Sequence, residues 1–393
     1  MSKPTITQVR VWASRPLPYE PGGRVSLPTT TTATPTTAAP AATPRTTAAA
    51  TTTAAPATTS TSTDLLGVVG VQVETASGAV GVGLAPCVPA AMPALVALVE
   101  QMVAPLVVGH NPLDHERLYA RAHHRLAEQV GWPGLAARAY AAVDLALWDL
   151  KGRLSGLPVH RLLGGAKESV PCLAAQLLPA SATPAELLRR VEPLLRQGVM
   201  GLLVRLGGCD VEADANLVQA LREGLGDAWL GVDAAGRYDL PSLLSLIELF
   251  VDELQIDWLA EPLSVSDLAG LARLGQSLTV PIAAGEPLDD LAAIETLLAR
   301  GLVQVLRLNL WRIGGYTPAL RVVHLAERFG VKLVPVGPPE LTVPLACGLG
   351  EISAVEYCDW LQPVLTQPVR LQRGQLAPPD AAGLGVELAE PLR

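Results

Sequence analysis

The chain has 393 residues, 49% hydrophobic and 17% charged, enough to bury the cores of two domains. A formal net charge of −8 and a pI near 5.3 exclude the concentrated basic face that nucleic acid requires. Five scattered cysteines with no CxxC pair suggest neither a zinc cage nor a disulfide framework.

The first residues, MSKPTITQVRVWASRP, lack the apolar core of a signal peptide. No apolar run of membrane-spanning length is free of charge, Pro or Gly, so no membrane span is expected and a reduced cytoplasm is the default. Ile6 to Val11 alternates with period two and predicts a half-buried strand. Thr29–Thr63 is almost wholly Thr, Ala and Pro, with Arg45 its only charge. Such a stretch has little apolar surface to offset its ordering entropy and reads as a disordered insertion dispensable for folding. A glycosylated stalk is the other compositional reading. Leu66 to Glu74 predicts a second strand, and Ser77-Gly78 a turn into Ala79 to Val82. Helical spacing follows at 90–103, 113–130 and 134–154.

From Val170 the rhythm changes. Short apolar runs recur at 170–174, 201–206, 229–232, 256–260, 280–284, 303–308 and 332–336. Helical patterns separate them at 184–197, 213–225, 241–254, 289–300 and 317–329. Strands alternating with helices mean βαβ units and a parallel sheet, and seven or eight units fit a closed barrel. An open doubly wound sheet stays possible on rhythm alone, although no GxGxxG follows the first of these strands.

In a barrel, chemistry sits where strands end. Three successive runs finish on an acid: Asp233, Glu261 and Glu286. Neighbouring strands lie about 4.8 Å apart, so these carboxylates would converge and repel. A hard divalent cation, Mg²⁺ above all, resolves that repulsion. The bland alternative is that each acid caps a helix or meets a Lys or Arg.

A long segment carries a resemblance. Ala136 to Gly152, AARAYAAVDLALWDLKG, continued by Gly156 to Gly165, is similar to the helix signature of the mandelate racemase/muconate lactonizing enzyme branch of the enolase superfamily. Asp233, Glu261-Pro262 and Gly285-Glu286 resemble that family's three metal ligands. Arg312-Ile313-Gly314-Gly315 and Gly383-Leu384-Gly385-Val386 are further, weaker likenesses. The resemblance implies an α/β chain: a (β/α)7β modified TIM barrel under an N-terminal α+β capping domain. It divides the chain into a cap at 1–134, a barrel at 135–356 and a segment at 357–393 that completes the cap. It also implies one Mg²⁺ per subunit, a small carboxylate substrate and a homo-oligomer. Members abstract the proton α to a carboxylate, and Mg²⁺ stabilises the enediolate, as the enolase-superfamily case in general use has it.

The sequence departs from the family at its bases. Where the resemblance puts a Lys-x-Lys pair, Leu203 and Arg205 stand. Where it puts an Asp-His pair, Asn309 and Val336 stand. Arg205 is permanently charged, able to hold a carboxylate but not to take a proton. Glu340 resembles in position an acid that some racemases use, and otherwise reads as a surface acid of a loop. The catalytic candidates are therefore Arg205 and Glu340, and Asn309 and Tyr238 are candidate substrate contacts. Arg307 and Arg312 flank the end of the sixth strand as possible anion binders. The resemblance implies an isomerase or lyase of racemase, cycloisomerase or acid-sugar dehydratase type. The missing bases favour the alternative of a metal-binding homologue without catalysis, and a metal-free binding protein is the third reading.

Overall fold

The computed structural model describes residues 4–14, 17–18, 65–175, 177–178, 182–207 and 210–389, and the insertion expected at 29–63 lies outside them. The first sheet is antiparallel. Its central strand β3 (Leu65–Thr75) pairs with β1 (Ile6–Ala13), β2 (Leu17–Pro18) and β4 (Val80–Cys87). Val69, Val71 and Val73 of β3 are fully buried, because a helical layer covers this sheet.

The helix Leu135–Ser155 forms most of that layer. Alanines at 136, 137, 139, 141, 142 and 146 favour helix and keep the rod thin. It approaches so closely that a Cβ on Gly81 or Gly83 of β4 would lie 2.1 Å from the Ala146 carbonyl oxygen or 2.0 Å from that of Ala142. Gly156, at φ +66°, ends it in the left-handed conformation that glycine adopts without strain. The signature acids of this helix act as fasteners. Asp144 accepts hydrogen bonds from Thr317 N and Thr317 Oγ1. Asp149 accepts from Val82 N, Arg153 Nε and Leu384 N. Together they tie the helix to the first sheet, to the barrel helix Tyr316–Arg328 and to the C-terminal segment.

The helical stretch Pro89–Val107 is long and apolar enough, by length and composition alone, to cross a bilayer. Pro89, Pro93, Pro105 and Glu100 interrupt its apolar run in the sequence. Here it buries one face, Leu95, Val99, Val103 and Val107, in the core shared with the first sheet and the helix Leu135–Ser155, and the remainder is not buried.

Eight parallel strands make the second sheet. They are β5 (Val170–Ala175), β6 (Gly201–Arg205), β7 (Trp229–Asp233), β8 (Trp258–Ala260), β9 (Ile282–Ala284), β10 (Val305–Asn309), β11 (Lys332–Val336) and β12 (Val355–Tyr357). Each pairs with the next as far as β11. β12 pairs back onto β5, and a bridge from Ile352 to Leu333 closes the ring. Helical segments connect all seven strand-to-strand steps, which is a (β/α)7β barrel. Leu173, Ala175, Leu203, Ala260, Ala283, Val305 and Val334 pack together as the barrel's own filling, separate from the larger core outside. After β12 the chain forms the hairpin β13 (Leu371–Gln372) and β14 (Gln375–Leu376) on the edge of β5, then crosses back to the cap.

Candidate metal centre

β7 ends on Asp233, Glu261 follows β8 directly, and Glu286 lies two residues beyond β9. Parallel pairing sets Arg205 opposite Asp233 and Asp233 opposite Ala260. Glu261 has φ +43°, a left-handed conformation that costs a non-glycine residue energy and clusters at functional sites. Its Oε1 accepts a hydrogen bond from Glu286 N at 2.9 Å.

The three acids surround a guanidinium. Arg307 lies on β10, and its Nη1 stands 3.2 Å from Asp233 Oδ2, 3.5 Å from Glu261 Oε1 and 3.7 Å from Glu286 Oε2. From the other side, Nε and Nη2 donate to Glu356 Oε1 of β12 at 3.0 and 2.8 Å. Arg205 adds a second cation: its Nη2 reaches Asp233 Oδ2 at 2.8 Å and Glu286 Oε2 at 3.0 Å. The Arg307 side chain is 0% exposed and that of Arg205 36%, so only Arg205 meets solvent. The bland alternative, acids meeting arginines, is thus present in the geometry.

The electrostatics follow from burial and pairing. Burial pushes the Asp233 pKa up, but Arg307 and Arg205 together hold it below the ordinary carboxylate value. Burial pushes Glu261 up to about 7 against the pull of Arg307. Glu356 is raised by burial, also against Arg307. Burial disfavours both guanidinium charges, yet Glu356 and Asp233 raise Arg307, and Asp233 and Glu286 raise Arg205.

As donors the acids suit a hard cation. Four carboxyl groups (Asp233, Glu261, Glu286, Glu356) face two guanidinium groups, leaving the cluster anionic when all are ionised. Glu261 Oε2 is buried with no hydrogen-bond partner, an orphan acceptor of the kind an ion satisfies. The spacing of the acids is nevertheless that of a guanidinium cage: among the described residues, no three His, Cys, Asp or Glu side chains are drawn together as metal ligands.

The other candidates lie apart from this cluster or at its rim. Asn309 ends β10 and caps the short helix after it, accepting from Trp311 N and Arg312 N. Its Nδ2 reaches Glu286 Oε1 at 3.5 Å. Tyr238 donates its hydroxyl to Asp214, which also accepts from Gly207 N. Asp214 thus links the Tyr238 hydroxyl to the backbone just after β6. Glu340, the catalytic candidate whose alternative reading was a surface acid, is 3% exposed in the first turn of the helix Pro339–Gly348. Its Oε1 accepts from Val369 N at 3.2 Å, and burial pushes its pKa up to about 7. Leu203 and Val336 are both buried. Among the described residues, no Lys or His pairs with Asp233, Glu261 or Glu286. Sequence reasoning missed Glu356 altogether and placed Arg307 at a strand end as an anion binder. A polar residue interrupting an apolar barrel strand, as Arg307 does in Val305-Leu306-Arg307-Leu308, was the available signal.

Two family models match the chain in succession. The mandelate racemase/muconate lactonizing enzyme N-terminal domain matches residues 41–164, and the enolase C-terminal domain-like model matches 186–392. The chain belongs to the mandelate racemase/muconate lactonizing enzyme branch of the enolase superfamily. Within that branch it is 30% identical over 292 residues to the L-talarate/galactarate dehydratase of Salmonella typhimurium, covering 74% of this chain and 73% of the relative. The structure of L-talarate dehydratase from Polaromonas sp. JS666, complexed with Mg and L-glucarate, superposes with a TM-score of 0.76. It is 30% identical and covers 84% of this chain and 91% of that one. A racemase from Streptomyces coelicolor A3(2) with bound magnesium superposes at 0.80, with 25% identity over 98% of this chain and 97% of that one. The branch thus contains dehydratases and racemases solved with Mg, on the cap-and-barrel fold described above.

Proposed function

We propose that this chain is a Mg²⁺-dependent isomerase or lyase acting on a small carboxylate, with Asp233, Glu261 and Glu286 as the metal ligands. The observation that supports this is the convergence of three acids from successive strands, one of whose buried oxygens, Glu261 Oε2, has no partner. When bound, the ion supplies positive charge beside a substrate carboxylate and lowers the cost of removing its α-proton. Relatives named for talarate and galactarate, one of them complexed with L-glucarate, make a sugar diacid the first substrate class to test.

The chain's own contribution is Arg205. Its Nε and Nη2 are held by Asp233 and Glu286, while Nη1 makes no hydrogen bond among the described residues. A guanidinium fixed in this way can orient a carboxylate at the barrel mouth and remains protonated throughout. Asn309, whose amide already reaches Glu286, is the neighbouring polar contact.

A second reading has its own observation. Leu203 and Val336 are buried apolar groups where the family resemblance puts Lys and His. On this reading the protein binds metal and acid without proton transfer. The test is α-proton exchange and dehydration in deuterated water with Mg²⁺ present, across galactarate, talarate, glucarate and N-succinylamino acids. Exchange or turnover that is lost in Asp233→Asn supports the enzyme. Calorimetric binding of these acids without exchange establishes the second reading instead.

A further inference from the structure

A fully buried arginine is rare, because a guanidinium removed from water must recover its hydration from fixed partners. Arg307 does so at one point: the place shared by Asp233, Glu261 and Glu286. Its Nη1 lies 3.2–3.7 Å from one oxygen of each, as a common counterion would. Glu356 fixes it there, taking both Nε and Nη2 on a single oxygen. We propose that Arg307 is a tethered cation that competes with Mg²⁺ for these three carboxylates. This rests on the reading of Asp233, Glu261 and Glu286 as metal ligands.

The competition has a direct cause. An N–H donor and a hard cation draw on the same oxygen lone pairs, and the two positive charges repel at short range. Arg205 is a weaker competitor, because it reaches two of the acids and a third of its side chain is in water. Arg307 reaches all three and has no solvent to withdraw into. Metal binding therefore selects the fraction of molecules in which its guanidinium has let go. If that fraction is 1–10%, apparent Mg²⁺ affinity falls roughly 10- to 100-fold below that of the released site. A second consequence is that each of the three acids already has a cation in the metal-free barrel, so folding does not require the ion.

The experiment compares the parent with the double variant Arg307→Gln/Glu356→Gln. This pair removes one charge of each sign, so net charge is unchanged and the tether Glu356 is not left ionised and unpaired. Mg²⁺ is titrated into each protein by calorimetry, and each is melted in EDTA and in Mg²⁺. The expected result is Mg²⁺ affinity at least about tenfold higher in the double variant. In EDTA its melting temperature should fall below the parent's, and it should gain more from Mg²⁺ than the parent does. Equal or weaker Mg²⁺ binding by the variant overturns the competition and leaves the ligand assignment standing. Absence of Mg²⁺ binding by both proteins overturns the assignment, and the competition with it. The single variant Arg307→Gln gives the same comparison if the double variant does not fold, and equal affinity there is equally fatal.

Discussion

Glu340→Gln isolates the energetic role of one buried acid. Glu340 sits at the start of the helix Pro339–Gly348, and no cation pairs with it among the described residues. Burial pushes its pKa from the ordinary 4.5 to about 7, so the folded protein holds this proton more tightly than the unfolded chain. A raised acid contributes fully below pH 4.5, and its contribution is lost as pH climbs towards 7. The shift is about 2.5 pH units, or roughly 3 kcal/mol of stability lost by pH 8. A glutamine keeps an oxygen for the Val369 N–H and never ionises. Urea melts of parent and variant at pH 4.5, 6 and 8 measure the difference. The two should be equally stable at pH 4.5, and the variant should be more stable by up to about 3 kcal/mol at pH 8. A variant less stable than the parent at pH 8 would refute the reasoning, since it would mean that the ionised carboxylate is stabilised where it lies.

Two further substitutions test the packing around the signature helix. Tyr140 is fully buried and its hydroxyl has no hydrogen-bond partner. Tyr140→Phe is therefore expected to leave stability unchanged or raise it by about 1 kcal/mol, read by thermal or urea melting. Asp149→Ala strands the Val82 and Leu384 N–H groups and should cost roughly 2–4 kcal/mol, with earlier proteolysis of the C-terminal segment as the visible sign.

The barrel was legible because its strands are short apolar runs and three successive ones end on acids. Lys332–Val336 was placed to the residue, whereas β8 and β9 are shorter than their apolar runs, which begin before the ladder does. Asp233, Glu261 and Glu286 could be grouped because each closes a strand. Arg307 and Glu356 could not be paired from sequence: they lie 49 residues apart on strands separated by β11. Their contact exists only because the ring closes. For a similar reason the sequence does not show what Tyr238 bonds to. Its partner Asp214 belongs to the preceding βα unit, and no local pattern links the two. The alternative reading of the catalytic candidate Glu340 as a surface acid rests on charge suggesting exposure, yet the C-terminal segment covers it and supplies the Val369 N–H.

Asp149 imposes an order on biogenesis. Its bond to Leu384 N spans 235 residues, so the helix that supports the cap sheet lacks this fastener until nearly the whole chain has been made. At about 5–20 residues per second, a ribosome needs roughly 10–50 s to traverse that interval. Through this time the buried face of the alanine-rich helix that packs on the barrel awaits its cover, which makes it a natural client for chaperones. Nascent chains stalled before Leu384 should therefore bind a holdase more strongly than the released protein does.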